Sequence, residues 1–286
     1  MKFKANLYYA MGGGLGHLTR ARAVEHTLGL DNLRVLTAAP EAGKVFHSHN
    51  LLKVPPKNFA PTSYQKWMNS RLKRYEFENI YLDTFPTGLL GELIPWLSEW
   101  EGKLHYIARG LNMEAYQSRI PADFPKIETS YIVDQLSEAQ MAFVESHSKH
   151  IETVHLQYPQ ADIPPQLMAL INKLANPIWM IAHSGPAAEV DALLAYARDI
   201  ARAEREQPSW LVCTMCNYST VYRDVHIIQH YPVWPMYEHM DRIFTACGFN
   251  SMQQLSSFEG KHHFLPFERK YDDQFARAQR RREQEE

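Results

Sequence analysis

The chain opens on an apolar run, NLYYAM (6–11), that reads as a buried strand. A glycine-rich turn follows, and then Leu18, Ala21, Val24 and Leu28 recur at the spacing of one helix face, with Gly29 as the stop. The same alternation continues downstream. It predicts strands at 33–38, 51–54, 78–83, 103–109, 128–133 and 152–156, and helices after Pro40 and near 62–75, 91–100 and 136–148. Short apolar runs separated by helical patterns predict a mostly parallel sheet covered on both faces, because a parallel crossover needs a connection long enough to hold a helix.

The stretch around Pro159, Pro164 and Pro165 reads as a linker, after which the pattern starts again. Strands are expected at 177–183, 209–214, 225–230, 242–247 and 261–267, and helices at 186–205, near 235–240, at 250–258 and from Asp273 onward. The expected division is therefore 1–165 and 166–286, each an α/β unit. No period of 20–50 residues is visible, which argues against a solenoid or propeller. The terminal RRREQEE reads as a frayed, solvated helix end rather than a nucleic-acid arm.

Composition narrows the classes. With 286 residues, 45% hydrophobic and 22% charged, the chain can bury a core in each half, and no apolar run approaches the roughly 18 residues of a membrane span. The start, MKFKANLYYAMGGG, is broken by Asn6 and lacks a small-residue cleavage site, so it reads as the first strand rather than a signal peptide. Three cysteines, Cys213, Cys216 and Cys247, cannot form an all-paired framework and fit a reducing cytoplasm. A net charge of -2 offers no global attraction to nucleic acid, so any phosphate recognition is local.

The strongest local signal is MGGGLGHLTRARAV. It sets Gly12, Gly13, Gly14 and Gly16 between a strand and a helix, where backbone amides approach an anion closely and the helix start adds positive potential. Arg20 and Arg22 in the first turns oppose the helix dipole unless an anion or an acidic partner offsets them; the plainer alternative is a tight turn with solvated arginines. A dinucleotide site is disfavoured. His17 replaces the third glycine of that fingerprint, and Thr37-Ala38-Ala39-Pro40 puts no acid where a ribose needs one. No Gly-Lys-Ser/Thr follows, so the loop is not a Walker motif. His17, where the loop enters the helix, can act as a base or donate a hydrogen bond to phosphate. Asp83, in Asp83-Thr84-Phe85-Pro86-x-Gly88, ends a strand on the ligand-binding side of an α/β sheet. It can orient His17, position a hydroxyl, or simply cap its loop; Glu92 is a weaker candidate nearby.

GGGLGH after a first strand resembles the glycine-rich loop of GT-B glycosyltransferases, particularly the bacterial N-acetylglucosaminyltransferase of peptidoglycan-precursor synthesis. A second segment, IIQHYPVWPMYEHMDRIFTACGFNSMQQL…HHFLPFERKYDDQ (227–274), resembles that family's donor-binding domain, with its Gly-x-Asn-Ser-type turn, Leu-Pro strand end and Asp-Gln pair. Between them, about 55–175 is matched by architecture alone. The resemblance implies a GT-B fold, two Rossmann-like domains facing each other across a cleft. The first would be on the acceptor side and the second would bind a nucleotide-diphosphate sugar as co-substrate, with no other cofactor. Gly248, Asn250 and Ser251 would face the diphosphate, as would Ser184 and Gly185, with Ser184 also a natural helix cap. Asp273 and Gln274 would contact the donor sugar. The chain departs from the family at Cys247, where a glycine is usual, and at Gln254, where an acid usually grips the ribose; Gln254 keeps a neutral hydrogen bond.

The implied activity is metal-independent, inverting transfer of a sugar, UDP-linked by the resemblance, to the hydroxyl of a glycan, lipid-linked or small-molecule acceptor. His17 or Asp83 would assist deprotonation. The alternatives are a catalytically silent nucleotide-sugar or glycan-binding protein, motivated by Cys247 and Gln254, and a nucleotide-sugar epimerase, for which the acidic and histidine set is missing. Cys213-x-x-Cys216 has redox spacing but ends a strand rather than opening a helix. His147, His150, His155, His262 and His263 lack ligand spacing, so no metal is expected. No basic amphipathic helix marks a membrane dock, and only peripheral membrane contact remains open.

Overall fold

A computed structural model describes residues 4–12, 14–55, 61–72 and 74–285. Gly13 lies outside the described residues. The chain divides into two compact units. One comprises the residues up to Pro159 together with Arg269–Asp273, and the other Gln160–Glu268 together with the residues from Gln274. The expected single break at 165/166 therefore becomes a break near 160, and the short segment carrying Asp273 belongs with the first unit rather than the second.

In the first unit, strands β1 (Lys4–Tyr9), β2 (Leu33–Thr37), β3 (Leu51–Lys53), β4 (Glu76–Asp83), β5 (Lys103–Ala108), β6 (Ile127–Ile132) and β7 (Ser148–Thr153) form one parallel sheet. Its order is β3-β2-β1-β4-β5-β6-β7. The helices are α1 (Gly16–Leu28), α2 (Pro61–Leu72), α3 (Ile94–Leu97), α4 (Met113–Tyr116) and α5 (Glu138–His147). Leu7, Tyr9, Ile80, Leu82, Leu104 and Tyr106 pack with Tyr64 and Met68 of α2 and with Phe143 and Val144 of α5. On α1, Leu18, Ala21 and Val24 are buried, as the helical spacing predicts. β4 starts exposed and ends in four consecutive buried residues, so its carboxyl end, with Asp83 last, lies in the interior.

The second unit contains β8 (Ile178–Ala182), β9 (Ser209–Cys213), β10 (Val225–Ile228), β11 (Arg242–Ala246) and β12 (His262–Leu265), again all parallel, in the order β10-β9-β8-β11-β12. Its helices are α6 (Pro165–Ile171), α7 (Ala187–Glu204), α8 (Phe249–Gln254) and α9 (Gln274–Glu285). All five residues of β8 are buried, matching its continuous apolar run.

Three expectations shift. The strand expected at 152–156 is β7 at 148–153, because the chain passes from α5 into extended backbone at Ser148 with no loop between. The expected linker carries α6, in which Pro165 takes the first helical position, where its missing N–H costs nothing. The helix expected at 91–100 shrinks to α3, since Gly91 at φ +82° is still in the preceding turn.

In each sheet the strand order reverses once, between β1 and β4 and between β8 and β11. Ligands of open α/β sheets bind outside the carboxyl ends of the strands at such reversals. Gly12, residues 14–17 and Asp83 lie at the first reversal; Ser184, Gly185 and residues 248–251 lie at the second.

Candidate functional site

His17 and Arg20 are three residues apart on α1 and share a face that meets the end of β4. His17 Nδ1 lies 2.6 Å from Asp83 Oδ2. Arg20 forks onto the same carboxylate, with Nε donating to Oδ1 at 2.6 Å and Nη2 to Oδ2 at 2.8 Å, while Nη2 also reaches Thr84 Oγ1 at 3.1 Å. Asp83 is fully buried and Arg20 nearly so, while the His17 side chain keeps 17% of its surface exposed. The acidic partner that α1 needs at its start is thus Asp83. Arg20 is held by that carboxylate and by Thr84, and Arg22 pairs with Glu25.

Burial alone would push the Asp83 carboxyl up, but the Arg20 guanidinium and His17 more than reverse this and hold it at about 2, so it is an anion at neutral pH. Burial lowers the His17 pKa against the pull of Asp83, with Arg20 and Arg109 adding to the lowering, so the imidazole is neutral there. A neutral ring bonded to a carboxylate carries its proton on Nδ1 and leaves the Nε2 lone pair available. Gly12 makes room for this ring: a Cβ on Gly12 would fall 2.3 Å from His17 Cδ2. Gly14 has open space around it, and Gly16 is the first residue of α1.

The turn after Asp83 is held from several sides. Thr84 adopts φ +69°, an outlier for a β-branched residue. Its N–H donates to Ile107 O at 3.1 Å, its carbonyl accepts from Tyr106 Oη at 2.9 Å, and its Oγ1 accepts from Arg109 Nε at 3.3 Å as well as from Arg20. Gln140 secures the neighbouring loop, donating to Tyr106 Oη and Arg109 O and accepting from Leu111 N. Phe85 stacks on the His17 ring, with centroids 5.7 Å apart. Glu92 does not join this cluster. It accepts from Tyr9 Oη and Leu90 N, and burial raises its pKa, so it organises the loop after β4. Arg109 and Asp272, 2.5 Å apart, are part of the cluster although the sequence reading missed them. Their only linear signal is a charged residue just after a strand and an acid beside the Asp-Gln pair.

At the second reversal the expected donor residues are more open. Ser184 is exposed and its Oγ accepts from Met215 N at 3.3 Å; it is not the helix cap, since α7 starts three residues later behind Pro186. Gly185 lies against a pair the sequence reading also missed, His183 Nε2 and Glu189 Oε2 at 2.7 Å, where a Cβ would fall 2.3 Å from His183 Nε2. Gly248 precedes α8 with open space at its Cβ position, and Asn250, Ser251 and Gln254 on that helix are half-buried. The carbonyl of Cys247, itself buried, accepts from Arg277 Nη1 at 2.9 Å. Gln274 is buried with Oε1 bonded to Phe267 N at 3.0 Å, whereas Asp273 is exposed just before α9. Among the described residues no group of three or more His, Cys, Asp and Glu could hold a metal ion, and no helix is long and apolar enough to cross a membrane. Cys213, Cys216 and Cys247 form no disulfide among the described residues, and burial pushes Cys213 up to about 11, which suits a structural thiol better than a redox one.

No protein-family model and no curated protein sequence matches the chain. Solved structures do. The chain superposes on the glycotransferase of kitacinnamycin with a TM-score of 0.58 at 11% identity, over 98% of this chain and 84% of that one. The fold is that of the GT-B glycosyltransferases. The spinosyn rhamnosyltransferase SpnG complexed with thymidine diphosphate gives 0.56 at 12% identity, over 92% and 81% of the two chains. The UDP-glucose:anthocyanidin 3-O-glucosyltransferase in complex with UDP gives 0.55 at 11%, over 99% and 84%.

Proposed function

We propose that the chain is a glycosyltransferase that moves a sugar from a nucleoside-diphosphate sugar to an acceptor hydroxyl with inversion and without a metal ion. The observation that carries this reading is the bond between His17 Nδ1 and a buried, anionic Asp83 at the strand-order reversal of a GT-B first domain. With Nδ1 protonated toward Asp83, Nε2 takes the proton of the acceptor hydroxyl as its oxygen bonds to the anomeric carbon. The bond from that carbon to the diphosphate oxygen breaks, and the diphosphate leaves with the electron pair. Asp83 fixes the ring and stabilises the imidazolium that forms. Donor binding falls to the second unit, at Ser184, Gly185, Gly248, Asn250, Ser251 and Gln254, with Gln274 on the sugar.

The nucleotides bound in the similar structures, UDP and thymidine diphosphate (TDP), are the first to test, and the motif resemblance to the peptidoglycan-precursor transferases favours UDP. Cysteines not joined in disulfides suit a cytoplasmic site of action, with a small-molecule, glycan or lipid-linked acceptor. The test is a thermal-shift screen with UDP, TDP and their sugars, followed by transfer assays. Stabilisation by one nucleotide and loss of transfer in folded His17→Ala are expected. Full transfer by that variant removes the base, and no stabilisation at millimolar nucleotide removes the donor site. Stabilisation without transfer or donor hydrolysis would mark a silent binding protein.

A further inference from the structure

Asp83 is followed directly by Thr84, whose left-handed backbone is an outlier for a β-branched residue and persists only with support from its surroundings. Arg109 supplies part of that support through its Nε bond to Thr84 Oγ1. Arg109 is buried, and a buried cation needs a counter-charge. Asp272 provides it, with Oδ1 2.5 Å from Arg109 Nη1. Asp272 lies on Arg269–Asp273, a segment between β12 and α9 in sequence that packs within the first unit.

Tyr271, the residue before it, reaches the same place by another route. Its ring stands edge-on to Phe85 at 5.5 Å and to Tyr116 at 6.0 Å, and Phe85 in turn stacks on His17. Its carbonyl accepts from Asn112 N at 3.3 Å, which ties the segment to the loop after β5. Two consecutive residues thus support the carboxylate side of the dyad through Arg109 and Thr84 and the ring side through Phe85.

We propose that Asp272 and Arg109 are positioning residues for the His17–Asp83 pair, acting through Thr84, with Tyr271 seating the segment that carries Asp272. The proposal deepens the assignment of His17 as the base and rests on it for its catalytic meaning. Arg109 is suited to the task because its planar fork serves Thr84 through Nε and Asp272 through Nη1 at once; a lysine ammonium keeps the charge but not that fixed two-way geometry.

The experiment reads His17 directly in the full-length protein, by side-chain nitrogen NMR with labelled histidine near neutral pH, its signals assigned by their loss in His17→Gln. The native protein is expected to show a single Nδ1–H tautomer with a downfield Nδ1 proton, and Asp83→Asn sets the size of complete loss. Asp272→Asn and Arg109→Lys, each checked for folding by circular dichroism, should both move that proton upfield and admit the Nε2–H tautomer. A native tautomer in either folded variant overturns the proposal. So do His17 titrations that move with the tautomer unchanged, the mark of distant charge alone. If Asp272→Asn does not fold, Arg109→Lys decides the matter. Full transfer by His17→Gln would remove the base reading while leaving this positional test intact.

Discussion

At the carboxyl end of β4 an imidazole, two guanidiniums and two carboxylates are tied together by bonds of 2.5–3.3 Å, nearly all of them buried. At the carboxyl ends of β8 and β11 the corresponding positions carry an exposed serine, two glycines and the start of a short helix, with the His183–Glu189 pair beneath. The two sheets share one topology but spend their loops differently. A dense ionic cluster is costly to desolvate and holds one geometry, which suits a group that must receive a proton in a fixed direction. Small residues and open backbone leave room for a ligand to bring its own charge and complete the hydrogen bonds.

The sharpest way to break this comparison is Asp83→Asn. It leaves the buried Arg20 guanidinium without its counter-charge, and removing one partner of a buried pair costs about 3–5 kcal/mol. Transfer should fall by about 10⁴-fold, the size expected when an imidazole loses the carboxylate that sets its tautomer. Chemical denaturation and initial-rate assays check the two effects. His17→Ala should separate them, with transfer lower by about 10²–10⁴-fold and stability little changed, since Asp83 keeps both Arg20 bonds.

Acid sharpens the comparison next, because each unit holds a buried histidine kept neutral by its surroundings. Burial lowers His105 to about 4 in the first unit and His262 to about 3 in the second. Unfolded histidines take up protons near pH 6.5, so stability contributed by these neutral rings is present above that value and falls as pH drops toward about 4 and about 3. Asp83, held at about 2, adds a loss from about pH 4 downward as unfolded carboxylates protonate first. Thermal midpoints measured from pH 7 to 4 should fall steeply in the native protein and less steeply in His105→Gln and His262→Gln.

A methyl group probes the contrast more gently. Gly12→Ala drives a Cβ against the His17 ring edge and should lower transfer by about 10–100-fold through misplacement of the base. Gly248→Ala meets nothing within 4 Å and should leave folding unchanged, so any effect appears as weaker binding of the nucleotide that emerges from the screen. Smallest of all, Ser251→Ala should raise the donor KM with kcat nearly unchanged, the loss of one hydrogen bond being about 1 kcal/mol. A fall in kcat equal to that of His17→Ala would erase the division of labour between the two reversals.

Much of this was legible from residue order. Short apolar runs mark the strands because a parallel sheet is covered on both faces, period-3.6 patterns mark the helices because each buries one face, and the glycine turn and Asp83 stand out because both lie at the carboxyl ends of strands, the ligand side of a parallel sheet. What residue order could not supply was partnership. His17 and Asp83 are 66 residues apart and Arg20 and Asp83 are 63 apart, and only the pairing of β1 with β4 brings them together. Arg109 and Asp272 carried only a weak local signal, because a charge that serves a distant buried partner looks in sequence much like any surface charge. Periodicity and turn chemistry are local and determined the elements and the two-sheet plan; tertiary packing alone decided that Arg20 pairs with the Asp83 carboxylate, that Gly12 yields its space to His17, and that the segment around Asp272 belongs with the first unit, since each depends on groups joined only when the sheet closes around them.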